Sequence, residues 1–139
     1  VRDQRGSAAI EFTVLVPVLV LLFSVLVGGG RVWLARSGVE SMAGAAARAA
    51  SFERDPGAAD AAARRLVAVQ ASVSGLRCVP LIVNVDAASL NLPAGVPASV
   101  SAQVTCSVPL ADILVPGWPG ELTVTAAASA VVDRYRGRK

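Results

Sequence analysis

Residues 5–30 read RGSAAIEFTVLVPVLVLLFSVLVGGG. Between Ser7 and Gly30 the stretch carries a single charge, Glu11, and everything else is apolar, small or neutral. Its apolar run, residues 8–27, is 20 residues long. At about 1.5 Å of rise per residue, that matches a bilayer core of roughly 30 Å. A signal-peptide core is shorter, about 7–15 residues. The stretch therefore predicts a transmembrane segment over residues 7–30, behind a short basic leader, VRDQRG, over residues 1–6. A carboxylate inside such a span is expensive and by default marks function.

Two features interrupt the span. Pro17 removes a helical hydrogen bond and usually kinks a helix. Membranes tolerate it where neighbouring groups re-satisfy the backbone. It reads either as a plain kink or as a weak point where the helix bends on leaving the bilayer. Gly28, Gly29 and Gly30 together cost roughly 2–3 kcal/mol of helix propensity relative to alanine. They read as a hinge at the interface inside an otherwise continuous helix. Ser24, Gly28 and Val32 recur at every fourth residue, the spacing of a close-packing ladder.

Beyond the glycines, residues 31–52 continue as helix, outside the membrane. Val32, Trp33, Leu34, Val39, Met42 and Ala43 form a partly apolar face, and Ala35, Gly38, Ala46 and Ala50 keep it small. Arg36 and Glu40 are four apart, the spacing of a helical ion pair. One helix over residues 7–51 would be about 65–70 Å long.

Residues 53–139 read as a small α+β head. Glu53-Arg54-Asp55-Pro56-Gly57 is a turn signal. A second helix is expected over residues 58–72, with Asp55 as N-cap and Pro56 at the first helical position. Leu66, Val67, Val69 and Val73 are expected to face the sheet, and Ser74-Gly75 ends the helix. Residues 77–85 (RCVPLIVNV) are rich in β-branched side chains. Residues 99–108 alternate Val100, Ala102, Val104 and Cys106 against Ser99, Ser101, Gln103, Thr105 and Ser107. That period of two marks a half-buried antiparallel strand. Residues 122–132 begin similarly, and residues 92–97 and 115–120 are loops rich in proline and glycine. The fold class is thus α+β: a long transmembrane and spine helix, a second helix, and an antiparallel sheet of three to four strands.

Cys78 and Cys106 both fall in predicted strands. A disulfide is the economical reading outside the cytoplasm, against two free buried thiols or a redox pair. The spacing is unlike CxxC. With 27 intervening residues, the chain-entropy account gives the bond roughly 3–3.5 kcal/mol. Trp118, in VPGWPG, reads as folded back over the sheet edge or as an exposed contact tip.

Composition limits the function classes. The chain has 139 residues and no histidine, which removes His-based acid–base chemistry and most zinc sites. Its one lysine is Lys139, so a Ser–Lys site is not expected either. Neither an enzyme, a metal site nor a cofactor is expected. A net charge of +3, with basic residues gathered at the two ends and few aromatics, argues against nucleic-acid binding. Arg2 and Arg5 favour a cytoplasmic N-terminus, while Arg31 and Arg36 beyond the span weaken that vote.

Gly6-Ser7-Ala8-Ala9-Ile10-Glu11-Phe12, ahead of an apolar run, resembles the processing motif of type IV prepilins. Together with GRVWLARSGVESMAGAAARAAS, the wording resembles TadE-like minor pilins (pseudopilins) of the tight-adherence, or Flp, pilus system. The C-terminal LTVTAAASAVVDRYRGR fits actinobacterial members. The resemblance implies cleavage by prepilin peptidase between Gly6 and Ser7, leaving Glu11 as the fifth mature residue. It implies a single-pass protein of the cytoplasmic (inner) membrane, N-terminus inside and head outside, associated with the pilus. Its implied partners are other pilin or pseudopilin subunits and the assembly platform. In physical terms, Glu11 of one subunit would pair with the Ser7 amine of another, because either charge buried alone costs several kcal/mol. The competing reading is an unprocessed, membrane-anchored binding or sensing domain, with Glu11 reaching up to water.

Overall fold

The computed structural model describes residues 5–109 and 120–133, with side chains from Phe12 onward. Helix α1, Arg5–Ser51, is unbroken through both Pro17 and the three glycines. Helix α2, Pro56–Ser74, follows a short turn. Strands β1 (Leu81–Asp86), β2 (Ala98–Pro109) and β3 (Glu121–Val132) form an antiparallel sheet in the order β1-β2-β3. A short 3-10 turn, Ala88–Asn91, lies between β1 and β2 and buries Leu90. The fold is α+β, as the residue pattern requires.

The start of α2 follows from its chemistry. The Asp55 carboxylate accepts from the Ala58 N–H at 2.9 Å, and Pro56 opens the helix. Together they satisfy or remove backbone donors that a helix start leaves free. Gly75, at φ 68°, ends the helix in a left-handed conformation that disfavours other residues. On the exposed surface, Asp60 accepts from Arg64 at 2.6 Å, and this hydrogen bond, then the charge, raises the guanidinium pKa further above its ordinary value. The expected Arg36–Glu40 pair is absent among the described residues. Both side chains instead flank a shallow groove beside Leu122–Thr125 of β3.

The core is built from small side chains. Val39, Met42, Ala43, Ala46, Ala47 and Ala50 of α1 are fully buried against α2 and the sheet. The buried seam of α2 is Ala59, Ala63, Val67 and Ala71, spaced every four residues. This corrects the expected face. Leu66, Val69 and Val73 are 38%, 56% and 82% exposed, and only Val67 of the expected set is inside. Two helices approach closely when the seam between them is alanine, so the larger side chains turn outward. Likewise, Trp33 and Leu34 are exposed and take no part in the core, because cover by the head begins at Ala35.

The sheet keeps its predicted alternation with one exception. Val100, Ala102, Val104 and Cys106 are buried, but so is Ser107. Its hydroxyl shares a 2.9 Å hydrogen bond with Thr123, and its backbone bonds to Val79 and Pro80. β1 begins at Leu81 rather than at Arg77, so Cys78 lies ahead of the strand. Pro80 has no N–H to give to a ladder. A fourth strand is not found among the described residues.

Candidate membrane anchor and assembly helix

The residues singled out from sequence lie almost entirely on α1. Gly6, Ser7 and Glu11 occupy its first two turns, with Glu11 one turn along from Ser7, about 6 Å of rise. From Phe12 to Val27, every large apolar side chain is between 43% and 70% exposed. Among the described residues no other element covers this part of the helix. In water it would be an apolar surface far larger than monomeric proteins present. The helix is long and apolar enough to cross a membrane.

Pro17 and Gly28–Gly30 lie within the continuous helix. Ser24 donates to the Val20 carbonyl at 2.8 Å, so its hydroxyl is satisfied without a partner helix. At Gly29 and Gly30 an added Cβ would meet open space, so crowding does not explain the glycines there. Trp33, 68% exposed, sits six residues past Val27. That is about 9 Å along the axis, where aromatic side chains gather at membrane–water interfaces.

At the other end of α1, the head is closed by the Cys78–Cys106 disulfide, with Cα atoms 5.0 Å apart. The Val79 N–H donates to the Ser107 carbonyl at 2.8 Å, and the Ser107 N–H donates to the Pro80 carbonyl at 3.2 Å. The bond therefore ties the chain leaving α2 to the middle strand. Cys106 is fully buried. Trp118 falls outside the described residues.

Sequence reasoning missed a groove of about 650 Å³ between the span and the head. It lies where α1, the end of α2, the end of β2 and the start of β3 meet. Gly38 forms part of its floor. A Cβ there would come within 2.5 Å of the Leu76 side chain, so glycine lets Leu76 lie on α1. No local pattern announces such a groove, because it joins residues far apart in the chain.

Residues 6–48 match the family model described as TadE-like protein. Over these residues the chain is similar to TadE-like proteins. The matched TadE-like segment lies wholly within α1 and includes Gly6, Ser7, Glu11, Pro17 and all three glycines. It stops before α2 and the sheet. No curated protein and no solved structure is similar enough to match.

Proposed function

We propose that the chain is a membrane-anchored, Tad pilus-associated minor pilin that acts in assembly or initiation of the pilus through α1. Its role is structural rather than catalytic. The observation that carries this reading is the bare apolar half of a TadE-like helix, with a lone carboxylate four residues beyond a Gly-Ser junction. In this account prepilin peptidase cuts between Gly6 and Ser7, and the new amine begins the helix. Glu11 then stands near a helix N-terminus, where negative charge is favoured. Pairing Glu11 with the Ser7 amine of a neighbouring pilin subunit sets the axial register of two parallel spans. The head stays outside the cytoplasmic membrane, in a compartment that keeps disulfides oxidised.

The intact mass of the protein from its native membrane tests the reading. A species that begins at Ser7 is expected. A species that keeps the residues before Ser7 would favour an unprocessed anchored domain instead. Glu11→Ala should insert normally and impair piliation, and normal piliation in that variant would contradict the pairing.

A further inference from the structure

The groove beneath the head is lined by two cations, Arg31 and Arg77, together with Leu34, Leu76, Val108 and Leu122. Among the described residues no acidic side chain lines it, and neither arginine is ion-paired. Arg31 lies four residues, about 6 Å, past the end of the apolar run at Val27. A headgroup layer adds roughly 5–7 Å to each side of the hydrocarbon core, so Arg31 stands at phosphate level.

The helix face beneath the groove continues into the span. Val20, Ser24, Val27 and Arg31 follow one another at spacings of four, three and four, and Gly38 follows seven later. Those spacings place all five on one face of α1. The side of the helix that floors the groove is therefore the side that runs down into the bilayer beneath it. Val20 and Val27 are 60% and 54% exposed, and none of the described elements covers them.

We propose that this face binds an anionic phospholipid. Its acyl chains lie along Val20, Ser24 and Val27, and its phosphate is held between Arg31 and Arg77. Guanidinium groups suit the task, because their planar forks match phosphate oxygens. The glycerol portion falls between Val27 and Arg31, where the apolar run of α1 meets the first cation. A free phosphate would have no use for the apolar face below Arg31. The lipid would seat the head at a fixed height above the membrane. The proposal rests on α1 being a membrane anchor, but not on which side of the membrane the head occupies.

The test uses full-length protein purified from membranes into micelles that hold equal phosphatidylglycerol and phosphatidylcholine. Native mass spectrometry then counts the lipids retained. The wild type should retain phosphatidylglycerol in preference by about tenfold. Arg31→Gln/Arg77→Gln should bring the two lipids near parity, and Arg31→Lys/Arg77→Lys should keep most of the preference. Circular dichroism on each variant, with the disulfide intact, establishes that the head is folded. An unchanged preference in the folded Gln variant would overturn the proposal. So would a dimer that the Gln variant abolishes without changing lipid retention, which would give the groove to a second copy. Alkaline extraction of the wild type from membranes separates the two readings. Release into the soluble fraction would mean that the anchor itself is wrong.

Discussion

The two halves of α1 have the same backbone and opposite surroundings. From Phe12 to Val27 the large side chains are exposed on every face, and they are large: Leu, Val and Phe. From Ala35 to Ala50 the buried positions are mostly alanine, with Val39 and Met42 the largest. The lesson is that hydrophobic residues are needed where the helix meets lipid, and small ones where it meets protein. A lipid-facing side chain has a fluid neighbour that fits any shape. Against α2 and the sheet, close backbone approach limits side-chain size, and the core gains its contacts by density. Such a core is poor in buried area per residue, which explains why the head also carries a disulfide.

The sharpest way to break this contrast is to put a charge into the alanine seam. Val67→Asp should prevent the head from folding, at a cost above about 4 kcal/mol. Val69→Asp, two residues along on the exposed face, should change the melting free energy by less than about 0.5 kcal/mol. Circular dichroism melts in micelles would compare the pair, and equal losses would mean that α2 presents another face. Next in size is the disulfide. Cys78→Ser should lower head stability by about 3 kcal/mol, read from the same melts without reductant. Loss of the Asp55 cap should cost about 1 kcal/mol as Asp55→Ala. The smallest effect belongs to the span: Leu22→Ala should leave the head's melting unchanged and the protein still in the membrane fraction.

Much of this contrast can be read from the residues themselves. The span declares itself by length and charge depletion, α2 by the Asp55-Pro56 start and Gly75 stop, and β2 by its period of two. The face of α2 was not legible for a physical reason. Hydropathy ranks Leu66, Val69 and Val73 above Ala59, Ala63 and Ala71, whereas close packing selects the alanines. Trp33 and Leu34 mislead similarly, since an apolar residue near a membrane surface looks like one in a core. Cys78 reads as strand because its β-branched neighbours outweigh Pro80, whereas β1 begins only at Leu81. Of the candidate site, Gly6, Ser7 and Glu11 are plain in the chain. The groove at Arg31 and Arg77 is not, because it exists only once α1, α2, β2 and β3 are brought together.

The most direct test of one helix in two media is a spin-label accessibility scan in lipid bilayers. Labels would be placed singly at Leu15, Leu22, Leu26, Leu34 and Ser41 in the disulfide-bonded protein. Labels at Leu15, Leu22 and Leu26 should show strong relaxation by oxygen and weak relaxation by a water-soluble nickel complex. The preference should reverse by Leu34 and remain reversed at Ser41. Ready access of the nickel complex to Leu15, Leu22 and Leu26 would place the bare half of α1 in water and contradict the account.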